Sequence, residues 1–306
     1  MTVAAGDLDG LLERLVAPLR VKPGRAVRLP GDFDPGHKAA FVDQADAAGL
    51  LAHAIEELAK LQDRLAAQRT YALLVVLQAM DAAGKDGVVK HVMTGVNPQG
   101  VTVRSFKAPS PEELRHDYLW RHQKALPERG EIGIFNRSHY EEVLAVRVHA
   151  DLLQRQDLPR EEERSGFWKR RYRDINAWER YLVDNGVRIT KLFLNVSREE
   201  QRQRLLARID DKAKNWKFEA SDLAERARWD DYQRAYSEML SETSTKWAPW
   251  HVIPADHKWF SQLASAAAIV RELKAIDPQY PKVDAAHRRA LQQARTRLTE
   301  EAASEG

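Results

Sequence analysis

The chain contains no cysteine, which excludes disulfides and thiolate metal sites and fits a reducing compartment. Long hydrophobic runs are missing too. The longest strongly apolar stretch, Tyr71 to Leu77, falls far short of the roughly 20 residues that a membrane-spanning helix needs. Charge of one sign is also lacking: 48 basic and 45 acidic residues leave a formal net charge of +3, too even to mark a nucleic-acid binder by composition. At the N-terminus Asp7, Asp9, Glu13 and Arg14 interrupt the stretch that an export signal would keep apolar. The expectation is a cytoplasmic protein with no membrane and no nucleic-acid partner. The ten histidines offer no metal set, because His116 with His122 and His251 with His257 are not spaced like paired ligands on a helix. No structural zinc is expected. Asn136-Arg137-Ser138 and Asn195-Val196-Ser197 match glycosylation acceptors only by accident in a chain without an export signal.

Internal repeats and low-complexity linkers are absent as well, which argues against independent domains. What is present is 43% apolar content over 306 residues, enough to bury the core of one sizeable α/β domain. The expected organisation is a helical extension over 1–34, a main domain over 35–280 with a lid at about 209–222, and a C-terminal helix and fraying tail over 281–306. Leu50, Leu51, Ala54, Ile55, Leu58, Leu61 and Leu65 recur at helical spacing. Short β-rich runs at 71–78, 101–106, 131–135, 187–195 and 250–254 each precede a helical pattern, which predicts a parallel, doubly wound sheet of five strands. Ser197 with Glu200 reads as a capping box after the fourth strand.

The chemistry centres on Met80 to Gly87, Met-Asp-Ala-Ala-Gly-Lys-Asp-Gly. Glycines between a strand and a helix let backbone N–H groups surround phosphate oxygens while a lysine reaches the outer phosphates. Gly84 and Lys85 fit. Two positions depart from the usual pattern: Ala79 stands where the first glycine would be, and Asp86 stands where a Ser or Thr would hold Mg²⁺. Asp81 is the expected metal contact in its place, since Mg²⁺ takes oxygen ligands and keeps several waters. A lysine about 4 Å from a phosphate charge interacts by roughly 4 kcal/mol at an effective dielectric of about 20, so Lys85 should be indispensable. A plain strand-to-helix turn, with Asp81 capping the helix, is the competing reading.

Downstream, Glu-Ile-Gly-Ile-Phe-Asn-Arg-Ser-His-Tyr-Glu-Glu at 131–142 is a buried strand with a polar exit in the chain order of a Walker-B position. Asn136 sits where an acid is usual, and Arg137 can grip phosphate through its fork. Arg137 pairing with Glu141 or Glu142 at the surface is the bland alternative. From Arg198 to Lys217 seven basic residues face four acids. Arg204 and Arg208 share a helix face, and with Lys212, Lys214 and Lys217 they suggest a cationic lid over phosphates. A second basic island, Trp168 to Arg173, reads as an ordinary helix whose charges point to different sides.

Taken together, the phosphate loop, Gly-Val-Asn-Pro-Gln-Gly at 95–100, Phe-Asn-Arg-Ser-His-Tyr-Glu-Glu and Arg-Ile-Asp-Asp-Lys-Ala-Lys-Asn-Trp-Lys closely resemble the polyphosphate kinase 2 family, over about residues 35 to 275, and in particular its class III subgroup. The resemblance implies a P-loop kinase-like three-layer fold with a helical lid and added N- and C-terminal helices. It implies transfer of a terminal phosphoryl group from inorganic polyphosphate to AMP and ADP, with Mg²⁺, in a homo-oligomer of two or four chains. Carried over, Asp81, Lys85, Asn136 and Arg137 are the expected catalytic residues, and Asp81 the metal contact. Ala82, Ala83, Gly84, Asp86, Gly87, Lys90 and Arg147 join Lys85 and Arg137 in binding phosphate and nucleotide, and Arg204, Arg208, Lys212, Lys214 and Lys217 hold polyphosphate. The rival functions are an ATP-dependent nucleotide kinase, which needs no long cationic track, and a noncatalytic nucleotide- or polyanion-binding protein.

Overall fold

The strand segments are rich in Val, Leu and Ile because helices cover both faces of the sheet they form. The computed structural model describes residues 5–41, 43–159 and 166–304. Its strands are β1 (Ala72–Ala79), β2 (Val101–Ser105), β3 (Ile132–Asn136), β4 (Val187–Asn195) and β5 (Trp250–Pro254), within one residue of the sequence expectation at either end. All pairings are parallel, in the order β2-β3-β1-β4-β5. The central β1 is buried at every position.

The helices are α1 (Ala5–Val16), α2 (Gln44–Gln68), α3 (Lys85–Val92), the short α4 (Trp120–Gln123), α5 (Ala145–Val148) and α6 (Ala150–Gln154), then α7 (Phe167–Asp184), α8 (Arg198–Asp210), α9 (Ala220–Ala227), α10 (Trp229–Thr243), α11 (Lys258–Ile276) and α12 (Ala285–Ser304). Helix α11 packs on α1, α2 and α3 and on β4 and β5, while α7 packs on β4 and α10. The result is the expected three-layer α/β fold. Asp43 caps α2 by accepting from the amides of Ala45 and Asp46. The helix then buries Leu50, Ala54, Leu58, Leu61 and Leu65 on one face. Leu12, Leu15 and Val16 of α1 join the same core.

Chain connections leave β1 toward β2 on one side and β3 toward β4 on the other. The adjacent ends of β1 and β3 therefore form the switch point where open α/β sheets bind ligands. Leu77 pairs with Asn136 in register, which brings the phosphate loop and the 136–137 segment to one edge. Residues 281–301 are exposed throughout, so α12 stands off the core. Glu305 and Gly306, the end of the tail expected to fray, lie outside the described residues. Among the described residues no helix is long and apolar enough to cross a membrane.

Leu58 of α2 is fully buried, and Leu58→Ala is expected to lower unfolding free energy by about 2–5 kcal/mol. A denaturation curve that matches the parent's would contradict this packing.

Candidate active site

A loop that presents amides inward has to turn its carbonyls outward, and each carbonyl from Ala79 to Ala83 meets a side-chain donor. Lys85 Nζ donates to the carbonyls of Ala79 at 2.9 Å and Met80 at 3.3 Å. Gln201 Nε2 donates to that of Asp81 at 3.0 Å. Arg204 Nη1 donates to those of Ala83 at 2.7 Å and Ala82 at 3.3 Å, and its Nη2 reaches the carbonyls of Ala255 and Asp256 beyond β5. Ala82 has φ 61°, a conformation uncommon for a residue with a side chain. Gly84, at φ 109°, is the N-cap of α3 and makes no side-chain cap, so the first amides of that helix are left without a partner in it. Asp81 therefore does not cap α3.

Asp81 turns instead toward β3. Arg137 Nη2 donates to Asp81 Oδ1 at 2.6 Å, so Arg137 pairs with the loop rather than with surface acids, and it does so at φ 60°. Beside this pair, Asn136 Nδ2 donates to Asp86 Oδ1 at 2.8 Å. Asp86, which stands where a hydroxyl is usual in the loop, and Asn136, which stands where an acid is usual at the strand end, are thus hydrogen-bonded to each other. Glu141 completes the wall: the Gln78 amide, oriented to satisfy both its ends, donates to Glu141 Oε1 at 3.0 Å and accepts from Ser138. Desolvation raises the Glu141 pKa above the ordinary carboxylate value, although Arg137 and Lys85 pull it down. Lys85 is half-buried by surface, yet close packing desolvates its ammonium and lowers its pKa against the attraction of Asp81. For Arg137 desolvation is outweighed by Glu141 and Asp81, and its charge is stabilised.

The segment expected to form the lid, about 209–222, runs from the end of α8 into the start of α9. Ser197 caps α8 through the Glu200 amide at 3.1 Å. The reciprocal half of the expected box is replaced, since the Ser197 amide donates to Asp256 Oδ1 and Arg204 Nε takes Glu200. Arg208 Nη1 bonds Asp222 Oδ2 at 3.1 Å, and Asp222 is near enough to Asp81 for that charge to add to the desolvation raising its pKa. Lys212, Lys214 and Lys217 are exposed. Lys214 pairs with Asp211, and Lys217 lies over the ring of Trp216. Arg147 is held by Tyr172 and Glu238, with Nη1 2.6 Å from the Tyr172 hydroxyl and Nη2 2.7 Å from Glu238 Oε1. Lys90 is exposed on α3.

Residues 42–281 match the polyphosphate kinase 2 family. The chain belongs to that family. It is 51% identical over 250 residues to the ADP-polyphosphate phosphotransferase of Rhodopseudomonas palustris, covering 81% of this chain and 86% of the other. It is 46% identical over 268 residues to the AMP/ADP-polyphosphate phosphotransferase of Meiothermus ruber, covering 87% and 96%. The crystal structure of polyphosphate kinase 2 from Arthrobacter aurescens superposes with a TM-score of 0.80 at 42% identity, over 90% of this chain and 95% of that one.

Within this polyphosphate kinase 2 chain the structure gathers Asp81, Lys85, Asp86, Asn136 and Arg137, with Arg208 near them through Asp222. It separates Arg204 from the expected lid: this arginine is buried beneath the loop with its Nη donors committed to carbonyls and its Nε to Glu200. The reason is that a basic residue on a helix face looks solvated in sequence while the carbonyls it holds lie between 51 and 122 positions away. The motifs do not single out Gln78 or Gln201, and they offer Glu141 only as a surface partner of Arg137, whereas its carboxylate is half-buried by surface and desolvated. Gln78 was detectable as the one polar residue in an otherwise apolar strand.

Arg204→Lys leaves a single point donor where a planar fork served several carbonyls. It is expected to cost about 1–3 kcal/mol of stability in urea unfolding, and an unchanged midpoint would refute the clamp.

Proposed function

We propose that this chain transfers the terminal phosphoryl group of inorganic polyphosphate to nucleoside mono- and diphosphates, carrying AMP to ADP and ADP to ATP. The observation that carries this reading is the uncapped start of α3 with Lys85 beside the Asp81–Arg137 pair, at the ends of β1 and β3. The names of the two relatives supply donor and acceptors. A phosphate oxygen of the nucleotide attacks the terminal phosphorus, the bond to the penultimate phosphate breaks, and the chain leaves one unit shorter. Such a transfer needs alignment and charge neutralisation and no covalent enzyme intermediate.

In this reading the loop amides of Ala82 to Gly87 cradle phosphate. Lys85 and Arg137 stabilise charge on the transferring group, and Asn136 with Asp86 fixes the helix start. Arg208 and the lysines at 212, 214 and 217 hold polyphosphate, and Arg147 and Lys90 assist in binding the nucleotide. Arg204 acts from below, through the loop carbonyls. Among the described residues no three His, Cys, Asp or Glu side chains form a metal cluster. Mg²⁺ takes one or two carboxylates and completes its shell with water and substrate phosphates, and the loop presents one such carboxylate, Asp81, beside Arg137. Asp81 would hold it, and the ion would neutralise developing charge on the phosphates. An assembly of two or four chains belongs to the same reading and rests on the family resemblance, while a cytoplasmic location rests on composition alone.

Purified protein given Mg²⁺ and long-chain polyphosphate, without ATP, is expected to form ATP from ADP and ADP from AMP. No product from either acceptor would overturn the reading in favour of an ATP-dependent kinase or a binding protein. Lys85→Ala should lower turnover by about 10²-fold or more; near-parental turnover would remove Lys85 from the chemistry. Because burial raises the Glu141 pKa, its anion is lost on acidification at a higher pH than a free glutamate's. The acid limb of kcat/KM should therefore lie above the ordinary glutamate range and vanish in Glu141→Gln. An identical limb in that variant would show that Glu141 does not set it.

A further inference from the structure

The motif after Arg137 continues Ser-His-Tyr-Glu, and the site accounts for its first and last residues, which meet Gln78. His139 and Tyr140 point the other way, into the core, where both are about 1% exposed or less. There they meet a lysine. Lys191 sits on β4 in register with Val76 of β1 and is fully buried. Its three donors are all used: the Tyr140 hydroxyl, Glu179 Oε2 and the Thr243 carbonyl each lie 2.7 Å from Nζ. Glu179, fully buried on α7, accepts at Oε1 from the Tyr140 hydroxyl at 2.7 Å and has His139 Nε2 at 3.3 Å. One ammonium thus ties together a turn after β3, the helix α7, the strand β4 and the end of α10.

Two facts make this more than a core ion pair. First, a buried pair is weak support for stability, since apolar residues of similar volume often replace it without loss. Second, the Tyr140 turn lies between Arg137 and Glu141, and Arg137 is held at φ 60°. A non-glycine residue keeps such a conformation only where its surroundings over-determine it. The amide of Arg137 is fixed to the Leu77 carbonyl at 3.1 Å, so the flanking anchor is the turn that Lys191 and Glu179 hold. The α10 end gripped through Thr243 leads back to Tyr236, whose buried phenol is raised in pKa by desolvation and by Glu141 and Asp81.

We propose that Lys191 and Glu179 are positioning residues for phosphoryl transfer, whose buried pair fixes Tyr140 and thereby aims Arg137 and Glu141 at the phosphate loop. Neither touches substrate. Desolvation of Glu179 is outweighed by Lys191 and His139, which keep it ionised, so the pair is set before any ligand arrives. The proposal rests on the assignment of Arg137 to the site.

The test uses the full chain with polyphosphate, Mg²⁺ and ADP, and reads kcat, KM for both substrates and the melting temperature. The variants are Lys191→Met/Glu179→Leu, which removes both charges together, and Tyr140→Phe, which removes only the bridging hydroxyl. Ile175→Val, a buried apolar change on α7 near Glu179, controls for packing. Expected is a kcat lower by about 10- to 100-fold in the double variant, the scale of a misplacement near 1 Å, with both KM values within about threefold of the parent's. Tyr140→Phe should show a smaller loss of the same kind, and Ile175→Val none. Parental kcat in a folded double variant overturns the proposal. If the double variant does not fold, parental kcat in Tyr140→Phe overturns it. Arg137→Ala is run beside them: full activity there overturns the site assignment itself, and the proposal with it, so the two failures are told apart.

Discussion

A loop that offers its amides to phosphate has to be held by something other than phosphate. Here the holding is done from the carbonyl side, by Lys85, Gln201 and Arg204. A peptide unit is rigid, so fixing a carbonyl outward fixes the next amide inward. Arg204 has the further effect of tying the loop to the chain beyond β5 through Ala255 and Asp256. The sheet order follows as a requirement, because β1, β4 and β5 must be neighbours for α8 to deliver one side chain to the ends of both outer strands.

The same logic applies across the switch point. Asp86 and Asn136, taken singly, each look like the loss of a standard group: a hydroxyl that holds a metal, and an acid at the end of the second strand. Together they form one hydrogen bond with donor and acceptor exchanged between the segments. The link between the helix start and β3 survives while the carboxylate moves from strand to loop. Register sets this up, since Leu77 opposite Asn136 places the strand exits side by side.

What the sequence made legible was whatever is local. Strands buried on both faces appear as short runs of branched residues, and all five could be placed. The loop, Asp81, Lys85 and Arg137 lie in contiguous motifs whose chemistry follows from residue type. The direction of Arg204 could not be read, because helical spacing gives a face and not what covers it. Gln78 and Glu141 belong to the same class: their partnership spans more than sixty positions and exists only once β1 and β3 pair. The half-replaced capping box at Ser197 shows the limit from the other side, for the local pattern was correct in one bond and tertiary partners took the other.

Charge at the loop face is nearly balanced before any ligand binds. Lys85, Arg137 and Arg208 stand against Asp81, Asp86, Glu141 and Asp222, and the arginines are already paired. This balance lets so many ionisable groups stay partly buried, since an unpaired buried charge would be far more costly. It also means that the inner site offers a polyanion little net attraction at a distance. The exposed Lys212, Lys214 and Lys217 stand outside that paired set, and a charge there is felt over about one Debye length of solvent, near 8 Å at physiological salt. Inside, a phosphate has to displace carboxylates from their arginines or arrive with cations of its own. Paired inner charges of this kind hold the geometry of the loop face, whereas the exposed lysines outside it act only through solvent.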